Sequence, residues 1–416
     1  MLYQRFLIAV MAALSSVMGF AQGDFSQNLM PLGDIESLIG NTGTGGVHST
    51  GAVYYNPAAL TDLSGTNFSF SGNAYFRFQF KSKPFLTIQG EELDFEGSAY
   101  RSLPSSLIST KNWGDWTLGF SLVIPSSFYI EGKEFWQLNN AGDPLNIQAQ
   151  HNFSEDYFLA GFSAARKLGN GWSVGGTLTG QYYYYLSTVG VNIYSVNNPS
   201  IVSVTSNRQT LESYSLYLNV GILKRWEKFS MGLRVITPSI RLSGSGDFYA
   251  FNYTSGTPSQ EIDIIGGRVH KVTPVDFRLG FTYNFNENWM WAVDGAYTLE
   301  TEHNYYDGQA PVDESSPSNL RISSGVSGTV KEGRDVYFGM SYNPYRANLN
   351  GREVTQSLVS VTGGSRIQIG KSMNSIGVFY AIAGLESEFF GEDLGGVSEQ
   401  SYFGISVGTT VLLDGE

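Results

Sequence analysis

From Thr66 to its end the chain alternates apolar and polar residues in long runs, and few folds accept that pattern. Trp116, Leu118, Phe120, Leu122 and Ile124 alternate with Thr117, Gly119 and Ser121. Val275, Phe277, Leu279, Phe281, Tyr283 and Phe285 alternate with Asp276, Arg278, Gly280, Thr282 and Asn284. Phe403, Ile405, Val407, Thr409, Val411 and Leu413 close the chain in the same way. A period of two places each row on one face of a sheet. Phe68, Phe70, Phe76, Phe78 and Phe80 read as one such row, opposite Ser69, Ser71, Asn73 and Arg77. Fourteen candidate strands begin near residues 66, 96, 115, 148, 171, 206, 228, 268, 288, 317, 334, 354, 374 and 399. Many exceed the roughly 5–6 residues usual in globular sheets and reach the roughly 9–11 that cross a bilayer at a tilt.

The connections are sorted by length. Tight turns fall at Lys111–Gly114, Gly169–Gly171, Trp226–Lys228, Asn286–Asn288, Lys331–Gly333 and Gly370–Ser372. Longer polar loops are expected near 82–95, 132–147, 191–205, 247–267, 304–316, 345–353 and 391–398. Short and long connections interleave, as they do in an even-stranded membrane barrel whose turns all lie on one side; a soluble sandwich has no reason to sort its loops by end. One residue row is apolar, with Trp113, Trp116, Trp172, Trp226, Trp289 and Trp291 near strand ends, where an aromatic girdle sits. The other row is Ser, Thr, Gly and Asn, with the charges Arg77, Arg234, Asp276, Arg278, Asp294 and Arg366. These charges belong in the lumen, because on the lipid face each would cost about 2–4 kcal/mol at mid-depth. The expected fold class is therefore all-β: a transmembrane antiparallel β-barrel of about 14 strands.

The first residues read differently. Arg5 precedes an apolar run from Phe6 to Phe20, with Gly19 and Ala21 small, which fits a cleaved secretory signal peptide over residues 1–21. Residues 22–65 are then an N-terminal hatch, or plug, and 66–416 the barrel. Within the hatch, Gly43, Gly45, Gly46 and Gly51 allow conformations closed to other residues. Pro57 removes a backbone donor and pushes Asn56 out of the helical region. In the wall, Pro125 interrupts the third strand and Pro238 the seventh; proline cannot donate to the ladder, so each marks an edge, bulge or opening.

Several chemistries are set aside. There is no cysteine, net charge is −12, and no basic patch suits nucleic acid. Gly171-Trp172-Ser173-Val174-Gly175 and Gly404-Ile405-Ser406-Val407-Gly408 match a nucleophile-elbow pattern, but both continue in period two where an elbow needs a helix. His48, His151, His270 and His303 have no metal-ligand spacing. No catalytic residue, metal or cofactor is expected.

The Asn56-Pro57-Ala58 segment, with a glycine-rich run before it and Leu60-Thr61 after it, resembles the hatch of the FadL/TodX-type outer-membrane transporters of long-chain fatty acids and hydrocarbons. Further likeness lies in Thr237-Pro238 with Gly244 and Gly246, and from Thr273-Pro274 through Gly280-Phe281-Thr282-Tyr283 to Trp289 and Asp294. The resemblance implies a monomeric, non-enzymatic, porin-like barrel in the outer membrane of a Gram-negative bacterium, surrounded by lipid. It would pass a hydrophobic small molecule (a fatty acid, hydrocarbon or detergent-like compound) when the hatch around Gly43, Gly45, Gly46, Gly51, Asn56, Pro57 and Ala58 moves. Pro125 would border a lateral opening. Two other readings stay open: a non-transporting barrel acting as an adhesin or structural protein, and a lipid-hydrolysing barrel.

Overall fold

The computed structural model describes residues 32–88, 91–139, 144–198, 200, 202–309, 314–349, 352–387 and 396–414; the expected signal peptide lies outside them. Fourteen wall strands follow one another around a closed sheet. They are β1 (Thr66–Ile88), β2 (Glu91–Trp113), β3 (Trp116–Leu138), β4 (Leu145–Gly169), β5 (Trp172–Ser195), β6 (Val202–Arg225), β7 (Phe229–Ile236 and Ile240–Thr254), β8 (Gln260–His270 and Asp276–Asn284), β9 (Trp289–Thr298 and Thr301–Tyr305), β10 (Glu314–Ser316 and Asn319–Lys331), β11 (Arg334–Leu349), β12 (Arg352–Ile369), β13 (Ser372–Ser387) and β14 (Gly396–Asp414). β7 to β10 are each interrupted once, β7 at the Thr237-Pro238-Ser239 link. Every strand pairs antiparallel with its sequence neighbours, and β14 returns to β1 with Phe70 opposite Thr409 and Phe78 opposite Tyr402. Closure gives β1 and β14 each a neighbour on both sides, so the described sheet has no edge strand, the condition for strands to cross lipid.

The expected strands and tight turns are present; in the β4–β5 turn, Asn170 and Gly171 take φ 50° and 76°, the left-handed pair of a two-residue hairpin. The long loops are a correction. Several expected between 82 and 205 are mostly strand, because β1 to β6 run for 23 to 25 residues. At about 3.3 Å per residue that is roughly 75–80 Å, against a hydrocarbon layer of about 30 Å. The outer ends carry exposed ion pairs, Lys81 with Glu96 at 2.8 Å and Lys133 with Glu131 at 3.1 Å. Their inner face packs Leu93, Phe95, Ile147 and Val191 together. An apolar inner row extended these strands beyond the point where charge on the outer row suggested loop.

Nearer the short turns the outer face is apolar: Phe120, Leu122, Phe162, Leu178, Leu218 and Ile222 are all exposed, as are the six tryptophans. Cations sit at this rim, with Lys224 Nζ 5.1 Å from the Trp172 ring centroid and the Arg166 guanidinium 5.7 Å from Trp116. Such an exposed belt suits lipid rather than water.

The Phe68–Phe80 row does not keep to one face. β1 has an irregularity between Asn73 and Tyr75. Phe68 and Phe70 before it are exposed, while Phe76 and Phe78 after it are buried inside. A bulge adds one residue and so reverses the facing of all that follow. Arg77 therefore is not a lumen residue. It lies on the outer face beyond the bulge, its guanidinium 5.6 Å from the exposed Tyr100 ring.

Candidate functional site

Leu32 to Asp62 fold into the lower lumen as short helical turns, Glu36–Leu38, Ala52–Tyr55 and Pro57–Asp62. Asn56 organises this segment. Its extended backbone (φ −161°) ends one helix and begins the next, with Pro57 in the first turn where no N–H is needed. Its Oδ1 accepts from Ala58 N at 3.1 Å, while Nδ2 donates to Thr44 O at 2.8 Å and to Ile222 O of β6 at 3.3 Å. One buried amide thus joins a helix start, a loop and the wall.

The wall meets the segment at glycines. A β-carbon on Gly221 would overlap Asn56 Oδ1, and one on Gly232 would overlap the Thr44 carbonyl oxygen. On Gly175 it would lie 2.6 Å from Pro57 O. The segment's own glycines divide by cause. Gly46 has φ 95° and needs the left-handed region. Gly43, Gly45 and Gly51 do not. They are small because Tyr55, the Phe281 backbone and the Glu36 carboxyl press against them, at 2.8, 2.8 and 2.5 Å from a β-carbon.

The lumen charges hold the segment rather than lining a pore. Asp294 Oδ2 accepts from both Gly43 N and Thr44 N at 3.0 Å, and Arg278 Nη1 lies 4.0 Å away. Arg234 pairs with Asp276 and donates to Tyr54 O at 3.1 Å. Arg366 reaches Asp335 at 3.1 Å and Asp34 of the segment at 3.8 Å. Buried charges persist when they are paired. Arg234, Asp276, Asp294 and Arg366 are hydrogen-bonded, while the Arg278 guanidinium faces Asp294 and lies 5.7 Å from the Tyr55 ring centroid. Arg321, which pairs with Asp276, and Arg225, which pairs with Asp62, complete the set and were not singled out from sequence. Asp62 lies just beyond Leu60-Thr61 and Arg225 ends β6, so only packing shows that they meet.

Asp34 and Glu36 share Ser49. Ser49 Oγ lies 2.8 Å from Asp34 Oδ1 and 3.0 Å from Glu36 Oε2, and it accepts from Gly51 N at 3.2 Å. One hydroxyl has a single proton, so both carboxyl contacts are bonds when one of the two carboxyls is protonated and donates to Ser49. Burial, with the Asp34 charge second, pushes the Glu36 carboxyl up from 4.5 to about 8.

Above the segment the inner face changes from Ser, Thr and Gly to aromatic. Phe76, Phe78, Phe153, Tyr183, Tyr185 and Tyr402 belong to one buried cluster drawn from strands around the barrel. Of the four-tyrosine run, Tyr183 and Tyr185 face inward, while Tyr182 stacks between Phe158 and Tyr214 outside. Polar groups share this inner face, Asn207, Gln209 and Ser213 of β6 among them. Glu155 accepts from Tyr183 Oη at 3.1 Å, and Lys271 Nζ lies 3.4 Å from His303 Nε2 and 5.6 Å from the Tyr183 ring centroid.

Among the described residues the ladder between β2 and β3 is broken. The β2–β3 ladder runs from Trp113–Trp116 up to Ser106–Val123 and resumes only at Ser98–Glu131. Pro104 lies in the unpaired interval of β2 and Pro125 in that of β3, where the β3–β4 register also slips between Val123 and Ser126. An apolar cleft of about 560 Å³ sits here, lined by Pro104, Leu107, Leu122, Ile124, Phe158 and others. Val123 and Leu159 line it too, and they also pack on Tyr54 and Tyr55 of the N-terminal segment. Two apolar side chains therefore separate the cleft from that segment.

Among the described residues no cluster of three or more His, Cys, Asp or Glu could hold a metal ion. Ser173 and Ser406 both lie within strands, β5 and β14.

No family model and no curated protein matches this sequence. Solved structures do. A Pseudomonas aeruginosa FadL homologue aligns over 95% of this chain and 100% of its own, with TM-score 0.66 and 12% identity. The P. putida toluene transporter TodX aligns over 94% and 100%, with TM-score 0.61 and 12% identity. The Ralstonia pickettii toluene transporter TbuX aligns over 92% and 98%, with TM-score 0.58 and 11% identity. A closed fourteen-strand wall, a helical segment docked in its lumen and near-complete alignment with these channels give this chain the FadL/TodX-type fold.

Proposed function

We propose that this protein is a passive outer-membrane transporter of hydrophobic small molecules, long-chain fatty acids or aromatic hydrocarbons, with residues 22–65 as its hatch. The observation that carries this reading is the apolar cleft at the broken β2–β3 ladder, which backs directly onto the docked segment. Fatty-acid and toluene-like ligands need apolar surface, and the aromatic cluster around Phe76, Phe153 and Tyr183 supplies it. Movement of Tyr54 and Tyr55 away from Val123 and Leu159 joins lumen to cleft, and ligand leaves sideways into lipid beside Pro125. The segment can move because polar contacts and close backbone approach hold it, not a covalent link. The structural neighbours with toluene in their names support the ligand class.

The test is uptake of a labelled long-chain fatty acid and of toluene by a strain lacking its own transporters, with and without this protein. Pro125→Val restores a ladder donor at the break and is expected to slow uptake several-fold at equal protein level. Uptake equal to that of the empty strain would leave the adhesin or structural reading in its place.

A further inference from the structure

The unpaired interval between β2 and β3 is not empty along its whole length. Its lower part is the apolar cleft. Its upper part is crossed by a side chain. Arg101 of β2 pairs with Phe76, and the Phe76 ring is buried inside, so the Arg101 side chain starts on the lumen side. Ser127 of β3 pairs with Asp156 of β4, between the inward-facing pairs Ser126–Tyr157 and Phe128–Glu155, so these two lie on the outer side. Yet Arg101 Nη1 donates to Ser127 Oγ and reaches Asp156 Oδ1 at 3.1 Å. Ser127 Oγ also donates to Asp156 Oδ1, and the guanidinium lies 5.5 Å from the Tyr129 ring centroid. The guanidinium thus passes through the gap from inside to outside, where the backbone ladder is missing.

We propose that the Arg101–Ser127–Asp156 bridge is the upper edge of the lateral opening and sets the width of molecule that can pass. The inference rests on the transport reading above and adds a specificity-determining residue to it. A gap between strands has no fixed width unless something spans it. Ladder pairs fix the lower edge at Ser106–Val123, and no ladder pair exists between there and Ser98–Glu131. The bridge divides this interval and ties β2 to β4 across β3. Arginine suits the place: its planar fork binds a hydroxyl and a carboxylate together and stacks on a tyrosine, and lysine reproduces only the charge. The pair is largely covered, with side chains 26% and 15% exposed, so it is held rather than loosely solvated.

The experiment compares uptake of a slim probe, toluene, and a broad one, 1,3,5-triisopropylbenzene, in cells carrying the full chain. The wild type is expected to pass toluene and exclude the broad probe. Arg101→Ala and Asp156→Asn should raise the broad-to-slim ratio by about tenfold, the factor by which losing a charge-assisted hydrogen bond shifts an open–closed balance. Arg101→Lys should fall between. The exchange Arg101→Asp with Asp156→Arg should bring the ratio back toward wild type, which separates loss of the bridge from general loosening. Heat-modifiable migration on a denaturing gel checks that each variant is a folded barrel. An unchanged ratio in folded Arg101→Ala and Asp156→Asn, with toluene still taken up, overturns this inference and leaves transport standing. Absence of toluene and fatty-acid uptake in the wild type overturns both.

Discussion

At the residue scale, Glu36 shows how chemistry can be stored in a docked segment. Its carboxyl is buried beside Asp34, Ser49 and Tyr55, with Arg366 on the far side of Asp34. The docked form keeps the proton up to about pH 8, while an undocked, solvated carboxyl loses it near 4.5. The docked form therefore binds more protons between those values, and docking weakens as pH rises through that window. The stabilisation that a neutral Glu36 gives the docked state is full below about pH 4.5 and is lost once pH passes about 8. Protease accessibility of residues 32–62 is accordingly expected to increase from pH 5 to pH 9. Glu36→Gln, which can still donate to Ser49, should flatten that rise; an equally steep profile in the variant counts against a neutral Glu36. The sequence offered Gly43, Asn56 and Pro57 as hatch residues and gave no sign of Glu36, because a single acid in a loop becomes unusual only when other residues enclose it.

At the scale of elements, the wall was largely legible because a strand's period is set by local geometry. Strand starts near 66, 228, 288 and 334 lie within a residue or so of the structure. What local pattern hid was facing. The bulge after Asn73 turned Arg77 outward and Phe76 inward, and nothing in Gly72-Asn73-Ala74-Tyr75 announces an extra residue. Local pattern also hid the use of glycine. Gly221, Gly232 and Gly280 look like ordinary members of a small-residue row, yet Gly232 and Gly280 stand where segment backbone touches wall backbone, and Gly221 where the Asn56 side chain does. Gly232→Val should therefore expel the Thr44 loop while leaving the β7–β8 ladder intact. Increased labelling of a cysteine introduced at Thr44, with unchanged heat-modifiable migration, is the expected result. Unchanged labelling would mean that the wall yields instead of the segment.

At the scale of the whole molecule, two levels of one lumen do different work. The lower level is polar and glycine-rich and binds the N-terminal segment through Asp294, Arg234 and Arg366. The upper level carries the aromatic cluster, with Glu155 bonded to Tyr183 and Lys271 beside His303. Removing residues 32–62 takes away the segment-side partners of Asp294, Arg225 and Arg366 but none of the strand ladder. The truncated chain is expected to fold and to show large, steady ion conductance in a planar bilayer, where the full chain shows little. Equal conductance in the two would mean that the segment does not obstruct the lumen.

The sequence by itself determined the wall: its strand number, its order and its apolar outer belt. All three follow from a two-residue period and from loop length, which are properties of neighbours along the chain. Only the tertiary structure decided what the wall encloses. That Arg225 meets Asp62, that Arg101 passes through a gap to Asp156, and that Glu36 shares a serine with Asp34 depend on closing a sheet of fourteen strands around a thirty-residue segment. Interactions across a barrel join residues far apart in sequence, and no local pattern encodes them.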